Sequence, residues 1–238
     1  MKIESYIKAG GIAPLAFAET LMKVGSVIDV MAAAAPALSR PKWRMQGDTL
    51  EEAQVSEVYA ADGQPSGTAV AALENEYRGE GTSSLGIWDG STDESIGASI
   101  EVYASGGHFP DTVSISAHGT FIENKDVVAG VVAAAAKGFL PGAISAAPDS
   151  YVEKQAYPDR PGVGWMIFLP LELSAQQIPE AQETIPVLSA DGKKRLGTIL
   201  VSIKDEVFSA DNEEHLVAAH NIEARLVSMD LLPLVSEI

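Results

Sequence analysis

The chain has 238 residues, of which 46% are hydrophobic and 21% charged, so it can bury a sizeable core. It contains no cysteine, which excludes disulfides and thiolate zinc sites. Its formal charge of -17 disfavours binding to nucleic acid and to anionic membranes. The opening residues lack the apolar region of a secretory signal, and no apolar run approaches the roughly 20 residues that span a bilayer. We therefore expect a cytoplasmic protein that binds neither nucleic acid nor membrane.

Strand and helix signals alternate in the first part of the chain. Residues 1–8 are predicted to form a short strand that two glycines end. Apolar residues then recur at helical spacing over 17–35, and a proline follows them. A second helix is predicted over 69–77, because Ser66 or Thr68 can cap its first turn.

A series of strands comes next. One is predicted over 82–88, and two more follow over 98–105 and 113–118. In the last two, small or aliphatic residues alternate strictly with polar ones. This period of two is typical of an antiparallel sheet with one face exposed, and the link over 106–111 is short enough for a hairpin.

The second half of the chain repeats this mixture. Asn124 can cap a helix that runs to about Phe139, and 140–149 is predicted to be a loop. The segment 163–169 is apolar throughout, which predicts a central strand covered on both faces. Another strand is predicted over 196–203.

The chain closes with a predicted helix. Asp211 and Glu214 have the spacing of a capping box at its start. The order of elements predicts an α+β fold with a largely antiparallel sheet and helices packed on it. We find no internal repeat and no linker, so we expect residues 1–238 to form a single compact domain.

No catalytic motif is present in the sequence. It lacks the G-x-S-x-G nucleophile elbow, the P-loop and the G-x-G-x-x-G dinucleotide signature. We therefore assign no catalytic residue, no metal ligand and no cofactor, and we expect a protein that is not an enzyme.

The acidic residues are concentrated in two segments. Eleven of the 33 lie between Asp48 and Glu94, against one basic residue, Arg78. Eight more lie over 205–238, where Arg225 is the single base. Solubility alone needs a net charge of only about 2 to 8 for a small domain, so these segments predict a surface that meets a basic partner.

The segment from Trp88 to Glu94 allows three interpretations. Clustered carboxylates such as Asp89 and Asp93 could form a divalent cation loop, although the order of an EF-hand is missing. The segment could equally be an acidic turn that follows a strand. A third interpretation is an acidic projection that meets a basic protein, with Trp88 as an apolar anchor.

Several segments, in the right order along nearly the whole chain, resemble the Imm52 family of bacterial polymorphic-toxin immunity proteins. They are Pro41–Trp43 with Gly47–Ala53, Leu85–Gly90, Pro158–Asp159 with Gly162–Leu169, Gly197–Val201, Asp205–Phe208, Asn212–Leu216 and Leu231–Leu232. The chain is longer than the family pattern between Glu52 and Gly81. The resemblance implies a cytosolic α+β protein that binds and blocks a cognate toxin, commonly one with a restriction-endonuclease-like nuclease domain. It also implies a setting such as type VI secretion.

We therefore predict an immunity protein that inhibits a basic nuclease toxin through an acidic surface. The predicted contact residues are Glu74, Glu76, Glu80, Trp88, Asp89, Asp93 and Glu94. Two other functions stay open: a metal-dependent hydrolase that uses the loop near Asp89 and Asp93, and an acidic scaffold or assembly protein. An exposed strand edge would also permit a homodimer.

Overall fold

The computed structural model describes residues 1–47 and 49–238, with the side chain of Leu50 left out. Asp48, the first acid of the first acidic segment, lies outside the described residues. The α-helices are α1 (Phe17–Ala34), α2 (Leu50–Val55), α3 (Gly67–Glu76), α4 (Lys125–Phe139) and α5 (Glu213–Ser228). The strands are β1 (Lys2–Ile7), β2 (Arg44–Met45), β3 (Ser83–Trp88), β4 (Gly97–Ala104), β5 (Asp111–His118), β6 (Ala143–Ala147), β7 (Met166–Leu169), β8 (Glu183–Leu188) and β9 (Arg195–Val201).

The strands form one sheet in the order β2-β3-β4-β5-β1-β6-β7-β9-β8, and the paired strands run antiparallel. This confirms the predicted α+β class and its single compact domain. No helix among the described residues has both the length and the apolar character needed to cross a bilayer.

One half of the sheet, from β3 to β1, is covered by helices on one face. Ile100 of β4 pairs with Ile115 of β5, and Val102 pairs with Val113, so the buried rows of the two strands are in register. These side chains belong to the same hydrophobic core as the buried residues of α1 and α4. The opposite face of this half carries the polar residues that the alternation predicts.

The other half of the sheet is covered on both faces. All residues of β6 and β7 are buried, as the apolar run in 163–169 predicts for a central strand. Helix α4 contacts β6, β7 and β9 on one face. On the other face, the segment 149–163 is hydrogen-bonded to α5.

Glu223 of α5 makes this attachment. Its side chain is only 1% exposed. One carboxylate oxygen accepts hydrogen bonds from the Tyr151 hydroxyl at 2.6 Å and from the Val163 N–H at 2.9 Å, and the other accepts from the Ala156 N–H at 3.0 Å. Three donors from one segment thus converge on a single buried carboxylate, which offsets the cost of burying its charge.

The structure corrects three details of the predicted elements. The predicted loop over 140–149 is wrong, because it contains β6, whose Ala and Ser residues carry no strand signal. The predicted strand over 163–169 begins later, because Gly164 has a positive φ of 53° and breaks the run. The last helix is capped by Asn212, whose side chain accepts from the Glu214 N–H, and not by Asp211.

Both edges of the sheet carry features that hinder pairing with another strand. Strand β2 has two residues, and its outer side is bridged by Glu57. Strand β8 contains Pro186 and an irregularity between Val187 and Leu188. A proline and a short strand are both typical of protected edges. The edges therefore give little support to the homodimer that the sequence leaves open.

The attachment through Glu223 predicts a large effect on stability. We expect Glu223→Ala to lower the free energy of unfolding by about 3 kcal/mol, because buried donors lose their acceptor. The matched control is Glu213→Ala, an exposed residue in the first turn of the same helix, which should cost less than about 1 kcal/mol. Urea unfolding followed by tryptophan fluorescence measures both. Equal losses for the two variants would contradict the assigned role.

Candidate functional site

The uncovered side of the sheet half from β3 to β1 presents mostly polar side chains, and we call it the open face. Its side chains are half-buried or exposed and occupy alternate positions of four adjacent strands. They are Lys2, Glu4 and Tyr6 of β1, Ser84 and Trp88 of β3, Ser99, Glu101 and Tyr103 of β4, and Thr112, Ser114 and Ser116 of β5.

A groove of about 650 Å³ lies at the end of the open face, where the loop after β3 meets the sheet. Its lining includes the residues that we call the acidic groove: Trp88, Asp93, Glu94, Ser99, Ser116 and Asp149. The three acids are exposed. No lysine or arginine side chain of the described residues lines it; the basic groups present are the Met1 ammonium, which donates to the Ala117 carbonyl at 2.9 Å, and the His118 imidazole.

Asp89 shapes the loop beside the groove. Its side chain is 4% exposed, and each carboxylate oxygen accepts one backbone hydrogen bond at 2.9 Å, from Ser91 and from Ala98. Burial of the side chain leaves little of this carboxylate accessible to another molecule. The geometry therefore favours a structural role for Asp89 over the predicted contact role.

Asp93 and Glu94, in contrast, project into solvent. Asp93 accepts hydrogen bonds from the Ser95 hydroxyl at 2.7 Å and from the Ser95 N–H at 2.9 Å. The Ser95 hydroxyl, and then its N–H, hold the pKa of Asp93 below its usual range, because both bonds favour the ionised form. Asp93 thus keeps its negative charge at neutral pH.

Trp88 ends β3 at the wall of the groove. It pairs with Ser99 across the sheet, and its side chain is half-buried. Its indole Nε1 is buried and has no hydrogen-bond acceptor among the described residues. A large aromatic surface beside exposed acids has the composition of an interface anchor.

The remaining predicted contact residues lie elsewhere. Glu74 and Glu76 are exposed on α3, which contacts α1 on the helix-covered side of the sheet. Glu80 is exposed shortly before the start of β3, whereas Asp93 and Glu94 follow its end, and six strand residues span roughly 17 Å. The structure therefore does not join these three glutamates to the groove.

No residue of the second acidic segment lines the groove. Several of its acids have partners within the chain: Glu223 is buried, Asp211 lies 3.0 Å from the Lys154 ammonium, and a Glu206 oxygen lies 3.1 Å from His215. The acids of this segment therefore do not take part in the groove itself.

Two acids of the surface carried no cluster signal in the sequence. Glu101 is the single charged residue of β4, and only the alternation of this strand places it on the open face. Asp149 lies outside both acidic segments, and the fold brings it to the groove after β6. Residues 1–47 and 49–238 contain no group of three His, Asp or Glu side chains arranged to hold a metal ion.

Comparison with known proteins gives a match of fold. T6SS protein PA0821 of Pseudomonas aeruginosa has a similar structure, with a TM-score of 0.55 and 10% sequence identity, covering 95% of this chain and 75% of that chain. At this identity the likeness shows the fold alone. No protein-family model and no curated protein matches the chain, so the Imm52 resemblance stays a hypothesis.

The role of Asp89 can be separated from that of Asp93 by stability measurements. We expect Asp89→Ala to lower the free energy of unfolding by about 2 kcal/mol, because the buried Ala98 N–H loses its acceptor. Asp93→Ala should change it by less than about 0.5 kcal/mol, because water replaces its contacts. Thermal and urea unfolding of both variants test this contrast. If Asp89→Ala left the free energy of unfolding unchanged, Asp89 would again be a candidate contact residue.

Proposed function

We propose that the chain is an immunity protein, a stoichiometric inhibitor and not an enzyme, that binds a cognate antibacterial nuclease toxin. A nuclease that grips phosphates presents basic side chains in its cleft. An acidic protein that covers the cleft places carboxylates where the phosphates of the substrate would bind. It provides no phosphodiester bond that the nuclease can cleave. Capture of this kind acts in the cytoplasm of the cell that carries both genes.

The acidic groove is the observation that carries the proposal. Asp93, Glu94 and Asp149 come from two separate parts of the chain and converge on one concave surface. Exposed acids elsewhere often stand beside a basic side chain, as Glu19 does with Lys23 at 2.8 Å. The groove acids have no lysine or arginine partner among the described residues. This arrangement suits a cation that a second protein supplies.

Two further observations support the proposal. The fold is shared with a T6SS protein, which favours a role in a toxin system delivered by type VI secretion. The segments that resemble the Imm52 family include Leu85–Gly90, and this segment ends at the wall of the groove. We accordingly propose membership of that family or of one with the same architecture.

We propose a set of contact residues that differs from the set predicted from the sequence. Trp88, Asp93 and Glu94 are retained from the sequence prediction, and Asp149 is added. Asp89 supports the loop, as described above. The acids should accelerate the encounter by roughly 10- to 1,000-fold, while affinity depends on desolvated anchors such as Trp88.

The test compares two charge reversals of equal size. We expect Asp93→Lys/Glu94→Lys/Asp149→Lys to slow association with the toxin domain encoded by the adjacent gene by at least about tenfold at low salt, and to flatten the dependence of the rate on ionic strength. The matched control, Glu74→Lys/Glu76→Lys/Glu80→Lys, makes the same change of charge at residues that do not line the groove. Stopped-flow or surface plasmon resonance measures both rates, and circular dichroism checks folding.

The association rates of the two variants distinguish support for the proposed function from its refutation. A slower rate in the groove variant alone supports the proposal, as does loss of protection when this variant is co-expressed with the toxin. Equal slowing by both variants would show that only total charge matters. Unchanged association in the groove variant, or a folded wild-type protein that does not bind the domain, would refute the proposed function.

A further inference from the structure

The open face contains the same pair of residues twice. β1 carries Glu4 and Tyr6, and β4 carries Glu101 and Tyr103, each pair separated by one buried residue. β5 runs between the two strands. Glu4 and Glu101 both pair with Ser114, while Tyr6 and Tyr103 both pair with Thr112. The two Glu-x-Tyr pairs therefore lie side by side and in register.

The small residues of β5 make a shallow trough between the two pairs. Two strand spacings separate the pairs, which is about 10 Å. Within each pair the glutamate and the tyrosine are two residues apart, so their side chains leave the same face about 7 Å from each other. Tyr103 is 40% exposed, and Glu101 is exposed as well. The trough thus has acidic and aromatic walls and a floor of hydroxyl groups from Ser114 and Thr112.

The pairs are chemically suited to arginine. A guanidinium can lie flat on an aromatic ring and donate two parallel hydrogen bonds to a carboxylate, whereas an ammonium acts as a compact point charge. At the Tyr6 pair, burial and then the nearby Glu4 carboxylate raise the pKa of the phenol, so the ring stays neutral. At the Tyr103 pair no lysine or arginine of the described residues lies within ion-pair distance of Glu101.

We propose that the two Glu-x-Tyr pairs bind two arginine side chains of one basic protein segment laid across β5. The spacing of about 10 Å suits positions i and i+7 of a helix, which lie on the same helix face. The Glu101–Tyr103 pair is the stronger of the two, because Glu4 already forms an ion pair with Lys2 at 3.0 Å. Identification of this segment as part of the toxin rests on the proposed function; the preference for arginine does not.

The trough adjoins the acidic groove. Ser99 and Ser116, which line the groove, stand two residues along β4 and β5 from Glu101 and Ser114. On β1 the cation Lys2 pairs with Ser116, so the acidic surface continues from the groove along β4 and not along β1. A basic partner that enters the groove can continue along β4 to Glu101 and Tyr103.

The preference is tested with two peptides of equal charge. Hexa-arginine and hexa-lysine are titrated into the intact chain in 150 mM NaCl, and backbone and side-chain NMR shifts report affinity and location. We expect hexa-arginine to bind about three- to fivefold more tightly, because stacking and bidentate bonding favour the guanidinium. The largest shift changes should fall on β4 and β5 at Glu101, Tyr103, Thr112 and Ser114.

Substitutions identify the source of the preference. We expect Tyr103→Ala and Glu101→Gln each to reduce it to about twofold or less, while Tyr103→Phe preserves it because the ring remains. Phe109→Ala, at an exposed aromatic of the β4–β5 hairpin, is the control and should leave it unchanged. The groove variant with three lysines should weaken both peptides and keep the ratio.

Two results would overturn the inference. One is equal affinity for the two peptides, and the other is a pattern of shift changes centred on α3 or α5 in place of β4 and β5. Either result leaves the proposed function standing if the groove variant still slows association with the toxin domain. If the chain prefers arginine peptides but does not associate with the toxin domain, the inference about the trough stands and the proposed function is refuted.

Discussion

The antiparallel register of β1, β5, β4 and β3 is the constraint on which the rest of the structure depends. Because side chains alternate between the two faces of a strand, the helix-covered core and the polar open face are fixed together. A shift of one residue in the pairing of β4 with β5 would bury Glu101 and Tyr103 and expose Ile100 and Val102. The large apolar core stabilises the register, and the register positions the acidic and aromatic side chains that a partner can meet.

Negative charge is distributed unevenly, but not as one surface. The formal charge of -17 acts over a long range and steers any basic partner toward the molecule. Recognition of a partner needs local geometry as well, and we propose that the acidic groove and the trough on the open face supply it. The glutamates on α3 and α5 do not line the groove, and Glu223 of α5 supports the fold. We therefore propose that the net charge sets the rate at which a basic partner is encountered. The groove and the neighbouring strands then determine which partner is bound.

Regular patterns could be predicted from the sequence, while contacts between distant segments could not. Alternation identified β4 and β5, and an asparagine cap identified α4, because both signals are local. β6 was missed because five small or apolar residues, all buried, show no period. Asp89 was predicted as a contact residue because its sequence neighbours are acidic, but its burial follows from pairing with Ala98 across the loop. Asp149 reaches the groove only through the long-range pairing of β6 with β1.

The most direct measurement of the central claim is hydroxyl-radical footprinting of the chain, alone and in complex with the toxin domain that the proposed function requires. Oxidation reports the solvent exposure of aromatic side chains on the time scale of the exposure pulse. The account predicts protection of Tyr103 and Trp88 in the complex, with unchanged oxidation of Phe109 at the far end of the hairpin. Oxidation of Tyr103 and Trp88 at the same rate in the free and bound states would contradict it.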